Sequence, residues 1–134
     1  MMWGSAVDDK LAYFPVTRGG EGMGLAALKL STGEIAWRAA AKVGSGAPAT
    51  VIPGAVFSGS SDGVMYAFST ADGSVLWQFA TARKFDTVNG VEAQGGNLNA
   101  SGPVVAGGML FVPSGYSDLG PGTRGNVLLA FGPE

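Results

Sequence analysis

Apolar and polar residues alternate in short runs along this chain, and the runs are separated by small or turn-forming residues. Alternation with a period of two predicts half-buried β-strands, and the residues between the runs predict tight turns. Three stretches have the same form: a short strand, a two-residue turn and a second apolar strand. Their turns are Asp9-Lys10, Pro53-Gly54 and Gly107-Gly108. We therefore predict three β-hairpins along the chain.

A third strand is predicted after each hairpin, at Leu25–Leu30, Val64–Ser69 and Val127–Phe131. In the first two copies, a turn then leads to a fourth strand around Trp37 or Trp77. Gly33 and Gly73 lie in these turns, where glycine accepts a backbone conformation with positive φ. Forty positions separate Gly33 from Gly73, and the same forty separate Trp37 from Trp77.

Four antiparallel strands in about forty residues are typical of one blade of a β-propeller. We predict an all-β fold, a partial β-propeller with about three four-stranded antiparallel blades in a single domain. The predicted blades span about 3–40, 48–82 and 103–134, the last incomplete, with an insertion loop at 83–102. Propellers close with about four to eight blades, so we interpret the chain as a fragment.

Composition excludes several classes of function. The chain has no cysteine and no histidine, so these residues supply no nucleophile, base or metal ligand. A net charge of −2 without a basic run gives no support for a nucleic-acid or anionic-membrane partner. No apolar run approaches the length of a membrane span, and the N-terminus has no signal-peptide pattern.

The repeat is interrupted after the second copy. Ala67 and Ala130 occupy matching positions but lie 63 residues apart, about 23 more than one period. The excess lies in the insertion 83–102 and in the loop Ser114–Gly125. Loops that break a period usually lie on one face of a repeat protein, often its binding face. We therefore expect functional residues in these two loops.

The residues Ala27, Thr32-Gly33 and Trp37 form a pattern that resembles the tryptophan-docking motif of quinoproteins, which bind pyrroloquinoline quinone (PQQ). The second copy keeps Gly73 and Trp77 but has Ala71-Asp72 before the glycine. The strings Phe85–Val91 and Gly125–Phe131 are similar to the C-terminal blades of the polyvinyl-alcohol dehydrogenase group within the PQQ-dependent alcohol dehydrogenases.

This resemblance implies an eight-bladed periplasmic propeller that oxidises alcohols, with PQQ and calcium in its central channel. Electrons would leave to a cytochrome c or a fused haem domain, and the remaining propeller blades would be further partners. The family's catalytic aspartate and calcium ligands are expected in blades before Met1. We therefore assign no catalytic or metal-binding residue to this chain, and expect it to be inactive and prone to aggregate when isolated.

In the family, the indole of the docking motif packs between adjacent blades. Trp37 and Trp77, with Gly33 and Gly73, are accordingly predicted to be structural docking residues. Trp3 precedes an inner strand, where its ring could stack on the quinone or pack in the core.

Thr87, Asn89 and Gly90 are further candidates for cofactor binding. Asparagine can donate to and accept from quinone and carboxylate oxygens, and glycine permits close approach of the backbone. The same three residues also suit an Asx turn that closes the loop.

Two other classes of function remain open: a non-catalytic PQQ-repeat propeller that acts as a scaffold or binding module, and a degenerate remnant. The insertion 83–102 favours the enzyme, because a pure scaffold has no need to break its period there.

Overall fold

The computed structural model describes residues 4–16, 24–40, 44, 46–120 and 122–133, and these residues form β-strands without a helix. The prediction of an all-β chain is confirmed. Trp3, a candidate either for stacking on the cofactor or for core packing, lies outside the described residues. Three larger antiparallel sheets and one small hairpin account for all the strands in the described ranges.

The first two sheets have the same topology. Sheet 1 contains four strands in sequence order: β1 (Ala6–Val7), β2 (Leu11–Val16), β3 (Gly24–Lys29) and β4 (Ile35–Ala40). Sheet 2 repeats this order with β5 (Thr50–Ile52), β6 (Ala55–Gly59), β7 (Val64–Ser69) and β8 (Val75–Ala80). Each strand pairs antiparallel with the next, as the predicted tight turns require.

Sheet 3 contains three strands in the described part of the chain: β11 (Val104–Ala106), β12 (Met109–Ser114) and β13 (Val127–Phe131). Before it, the segment predicted as an insertion loop contains a hairpin of β9 (Lys84–Phe85) and β10 (Ala93–Gln94). Strands of two residues are too short to display an alternating pattern, so the sequence did not reveal this hairpin within the predicted insertion.

The repeat extends to an irregularity in the strand pairing. The register shifts at Ala27/Leu28 in sheet 1 and at Ala67/Phe68 in sheet 2. In both sheets the alanine beside the shift is directly opposite the tryptophan, Trp37 or Trp77. A small side chain opposite each indole leaves room for the large ring on that face of the sheet.

Sheet 2 lies between the other two sheets and packs against both of them. Side chains alternate between the two faces of its strand β7, so this strand contributes to a core on each side. Tyr66 and Phe68 join a core shared with sheet 1, which includes the fully buried Tyr13. Met65 joins a second core with Leu110 and Val112 of sheet 3. One strand therefore stabilises both sheet interfaces.

The first strands of the three sheets come together at one edge. The backbone N–H of Ala49 donates to the carbonyl of Gly4 over 3.4 Å, which joins the approaches to β1 and β5. The hydroxyl of Thr50 donates to the carbonyl of Pro103 over 2.5 Å, which joins β5 to the approach to β11. The sheets thus radiate from a common inner edge, as propeller blades do.

The antiparallel order divides the connections between two faces. The face that we call the turn face carries the tight turns such as Asp9-Lys10 and Thr70–Gly73. The opposite face, here called the loop face, carries residues 60–63, 81–103 and 115–126. Both of the segments that interrupt the repeat therefore lie on the loop face.

Candidate functional site

A network of buried hydroxyl groups holds the loop face together. The hydroxyl of Thr81 lies 2.8 Å from the carbonyl of Gly63 and 2.7 Å from the hydroxyl of Ser114. The Ser114 hydroxyl in turn accepts from the backbone N–H of Gly96 over 2.9 Å. Thr81 and Ser114 are both fully buried, so these bonds satisfy groups that water cannot reach. They join the end of β8, the insertion and the end of β12.

Two buried asparagines join the insertion to the loop 115–126. The side-chain amide of Asn97 donates to the carbonyl of Ser117 over 3.1 Å, and that of Asn99 donates to Leu119 over 2.8 Å. Asn99 also accepts from the hydroxyl of Ser61 over 2.8 Å. Their exposed fractions are 2% and 5%. Sequence reasoning did not select them as site residues, although they order both interrupting loops.

The residue after this pair has an uncommon backbone conformation. Ala100 has a φ of 70°, in the left-handed region that glycine prefers. Its N–H donates to the carbonyl of Gly46 over 2.6 Å, which ties the insertion to the connection between β4 and β5. This contact holds a strained residue three positions before Pro103, at the inner edge.

The predicted cofactor residues Thr87, Asn89 and Gly90 come together at the tip of the β9–β10 hairpin. The Thr87 hydroxyl lies 2.7 Å from Asn89 Oδ1 and 2.6 Å from the carbonyl of Val91. The N–H of Val91 donates to Asn89 Oδ1 over 3.3 Å, and the N–H of Gly90 donates to Thr87 over 3.2 Å. The side-chain oxygens of Thr87 and Asn89 are therefore engaged within an exposed Asx turn.

A groove of about 740 Å³ lies between this hairpin and the segment 124–126. Gln94 and Asn126 join its two sides: the N–H of Gln94 donates to Asn126 Oδ1 over 2.9 Å, and the N–H of Asn126 donates to the Gln94 carbonyl over 2.8 Å. Charged side chains of both signs line it, namely Lys84, Asp86, Glu92 and Arg124. Such a groove can offer hydrogen bonds to an uncharged polar ligand without a strong preference for one sign of charge.

The side chain of Arg83, beside the groove, packs against two aromatic rings. The guanidinium carbon of Arg83 lies 5.0 Å from the centroid of Phe79 and 5.0 Å from that of Phe85. Both distances are within the range of cation–π attraction. Phe85, in β9, thereby connects the hairpin to the outer strand β8.

Trp37 contacts the next sheet along the chain. Its indole N–H donates to the carbonyl of Thr70 over 3.0 Å, in the turn between β7 and β8. A Cβ atom built on Gly73 would lie 2.5 Å from Trp37 Cε3, so this glycine is directly against the ring. At Gly33, the matching position, such an atom would have no neighbour within 4 Å.

Trp77 packs against aromatic side chains. Its ring centroid lies 5.1 Å from that of Phe131 in an edge-to-face arrangement, and 6.0 Å from that of Phe79 in a stacked one. Phe131 belongs to β13, so the second tryptophan also contacts the following sheet. Both geometries are favourable for aromatic pairs.

The turn face carries a coupled pair of ionisable groups. The hydroxyl of Tyr13 donates to Asp8 Oδ2 over 2.5 Å, and the N–H groups of Lys10 and Leu11 donate to Asp8 Oδ1 over 2.8 Å. These bonds, the Tyr13 bond foremost, lower the pKa of Asp8. Burial, and then the bond to Asp8, raise the pKa of Tyr13. The pair closes the β1–β2 turn and lies away from the loop face.

The described residues contain no group of three or more acidic, histidine or cysteine side chains placed to bind a metal. These described residues also contain no helix that is long and apolar enough to cross a membrane.

Comparison with known proteins identifies the family. The sequence profile of a PQQ-type family, described as "Outer membrane protein assembly factor BamB", matches residues 2–93 and 21–130. The chain belongs to this PQQ-repeat family. The predicted resemblance to quinoproteins is confirmed.

Two relatives are polyvinylalcohol dehydrogenases. The enzyme from Pseudomonas sp. is 49% identical over 90 aligned residues, covering 61% of this chain and 14% of the relative. The enzyme from Sphingopyxis sp. (strain 113P3) is 38% identical over 164 aligned residues, covering 96% of this chain and 24% of the relative. The chain thus spans a quarter or less of the length of these relatives.

A solved structure has a similar fold. The quinohemoprotein alcohol dehydrogenase from Comamonas testosteroni superposes with a TM-score of 0.59 over 82% of this chain and 16% of that one, at 18% identity. The predicted partial propeller is therefore confirmed as the fold of this family member.

Proposed function

We propose that this chain is part of the propeller of a PQQ-dependent alcohol dehydrogenase that oxidises alcohols resembling polyvinyl alcohol. The observation that carries the proposal is its identity of 38% to a polyvinylalcohol dehydrogenase over 96% of the chain. That match includes both loops of the loop face and the groove between them.

The whole protein is proposed to be a propeller of eight blades. This chain would supply three of them, at about 3–40, 48–82 and 103–134, with the insertion at 83–102. The outward face of sheet 3 supports the presence of neighbouring blades. Leu128 of β13 is 60% exposed, whereas Met65 at the matching position of β7 is 1% exposed, because sheet 3 covers it. A further blade would cover Leu128 in the same way.

We further propose that Trp37 and Trp77 dock adjacent blades, with Gly73 as the flat surface that receives an indole. The support is geometric: Trp37 both donates to the Thr70 carbonyl and lies directly against Gly73. Gly33 would receive an equivalent ring from a preceding blade, since its surroundings are open in the described residues.

The complete protein is proposed to bind PQQ and calcium. When bound, the quinone supplies a two-electron acceptor for the alcohol. The described residues lack a cluster of acidic ligands and do not fit a calcium site, so the metal ligands would come from other blades.

Trp3, Thr87, Asn89 and Gly90 stay candidates for contact with the quinone. Within the turn the Thr87 hydroxyl donates its one proton and Asn89 Oδ1 accepts, so a contact there would use the Asn89 amide group, the acceptor lone pairs of Thr87 or backbone groups. This chain's own contribution is to build the channel wall and to order the loops on the loop face.

The proposed location is the periplasm, and the proposed electron acceptor is a cytochrome c or a fused haem domain. Both parts rest on the family resemblance.

The test is reconstitution of the full-length protein with PQQ and calcium, followed by reduction of an artificial dye with a secondary alcohol as electron donor. We expect dye reduction that requires both PQQ and the alcohol. The 134-residue chain under the same conditions should reduce none. If the reconstituted full-length protein binds PQQ but reduces no dye with any alcohol, the scaffold function replaces the enzyme.

A further inference from the structure

The exposed tip of the β9–β10 hairpin contains an asparagine followed by a glycine, Asn89-Gly90. We propose that Asn89 deamidates spontaneously through a cyclic imide formed with Gly90, and that Thr87 and Val91 promote the reaction. This inference is independent of the proposed dehydrogenase activity, because it depends only on the geometry of the tip.

The attacking group is the backbone nitrogen of Gly90. Apart from Asn89, Gly90 and Val91 themselves, no atom lies within 4 Å of a Cβ position built on Gly90, so residues elsewhere in the chain leave space for a five-membered ring to form. Gly90 has no side chain of its own to shield the nitrogen. Its N–H makes one hydrogen bond, to the Thr87 carbonyl at 3.2 Å, near the long end of the normal range.

The group under attack is the side-chain carbonyl of Asn89. Its oxygen accepts from the N–H of Val91 at 3.3 Å and lies 2.7 Å from the Thr87 hydroxyl. That hydroxyl has a single proton, which it can direct either to Asn89 or to the Val91 carbonyl, 2.6 Å away. Because Val91 follows Gly90 directly, the bond from its N–H holds the carbonyl alongside the Gly90 nitrogen.

Donors at this oxygen stabilise the negative charge that develops on it when the carbonyl carbon is attacked, as in an oxyanion hole. The Gly90 nitrogen loses its proton to hydroxide or water and forms a bond to Asn89 Cγ. The amide nitrogen takes a proton from water, the bond from Cγ to this nitrogen breaks, and ammonia leaves. Water opens the resulting imide at either carbonyl, which yields aspartate or isoaspartate. No oxidant or reductant is consumed.

The chain supplies internal controls. Asn97 and Asn99 are buried, and their amides donate to Ser117 and Leu119, so both must open locally before they can react. Asn126 precedes Val127, a branched residue, and its amide oxygen accepts from Gln94.

The product would alter the groove beside the hairpin. Either form replaces a neutral amide with a carboxylate on a hairpin that already carries Asp86 and Glu92. Isoaspartate also adds a backbone carbon to the turn, which would disturb the bond between Gly90 and Thr87.

The experiment incubates the full-length protein that contains this chain at mildly alkaline pH and follows each asparagine by peptide mass mapping over time. We expect Asn89 to convert at least about tenfold faster than Asn97 or Asn99, since each 1.4 kcal/mol of opening free energy costs tenfold in rate. Gly90→Ala should slow conversion at Asn89 by shielding the nitrogen. Thr87→Val should slow it severalfold while the Asn-Gly pair is kept.

Equal rates at Asn89 and Asn97 would overturn the proposal. An unchanged or faster rate at Asn89 in the Thr87→Val protein would refute the promoting role of the turn. Circular dichroism of both variants tests whether a change of fold, and not the substituted group, alters the rate of conversion at Asn89.

Discussion

The contact between Gly73 and Trp37 can be tested with a matched pair of substitutions, Gly73→Ala and Gly33→Ala. The two glycines occupy the same position in the repeat and have φ values of 75° and 73°. An added methyl group at Gly33 would meet no atom within 4 Å, whereas at Gly73 it would lie 2.5 Å from Trp37 Cε3. The pair therefore separates backbone strain from packing against the indole.

The strain is common to both variants. An L-residue in the left-handed region costs about 1–2 kcal/mol, and the smaller entropy of the unfolded alanine chain offsets about 0.4–1 kcal/mol of this. We expect Gly33→Ala to lower the free energy of unfolding by about 1 kcal/mol. Gly73→Ala adds an overpacking cost of about 1–3 kcal/mol, because either the ring or the turn must move. Its total should be about 2–4 kcal/mol.

The assay is urea unfolding followed by circular dichroism on the 134-residue chain at low protein concentration, because the surroundings of Gly33 are open in this chain. Each substitution is also made in a Trp37→Ala background. There the packing cost disappears, and Gly73→Ala should cost no more than Gly33→Ala. A difference between the two single variants below about 0.5 kcal/mol would refute the reasoning, since independent sites already scatter by that amount.

Three further predictions concern the rest of the chain. Thr81→Val should lower the free energy of unfolding by about 1–3 kcal/mol by leaving buried carbonyls unpaired, whereas Thr32→Val on the surface should change it by less than about 0.5 kcal/mol in thermal melts. Ala100→Gly should raise it by up to about 1 kcal/mol in urea, because relief of left-handed strain exceeds the added entropy of the unfolded glycine chain; a loss of stability would contradict this. Folding lowers the pKa of Asp8. Ionised Asp8 therefore contributes fully to the free energy of unfolding above the pKa it has in the unfolded chain, and this contribution is lost as the pH falls through its pKa in the folded chain. Asp8→Asn should therefore flatten the acid side of the curve of stability against pH, and an equally steep curve would refute the role of the Tyr13–Asp8 bond.

The regular part of the fold could be predicted from the sequence, because its signals are local. The strands predicted at Val64–Ser69 and Val127–Phe131 have these bounds in the structure. Alternating apolar residues and glycine-containing turns determine such elements over a few residues. The hairpin of β9 and β10 was missed because its strands have two residues each and depend on packing of Phe85 against Phe79.

The candidate site was harder to predict, because its contacts join residues that are distant in sequence. Asn97 and Asn99 each bond a carbonyl 20 positions away, which no local pattern reveals. The close spacing of two asparagines after Gly95-Gly96 was the available signal. Gly33 and Gly73 match in sequence, yet only Gly73 contacts an indole in the described residues, because that contact depends on a preceding sheet.

The alternation of β7 between two cores has a consequence for how this chain acquires its structure. Tyr66 and Phe68 find their partners in sheet 1, which precedes them in synthesis, while Met65 waits for Leu110 and Val112 of sheet 3. During synthesis, sheet 2 would therefore pass through a stage with one apolar face open to the solvent. In repeat proteins each unit gains stability mainly from its nearest neighbours. Slow translation between residues 80 and 104 would prolong that stage, and it is the period in which we expect the nascent chain to be most exposed to aggregation.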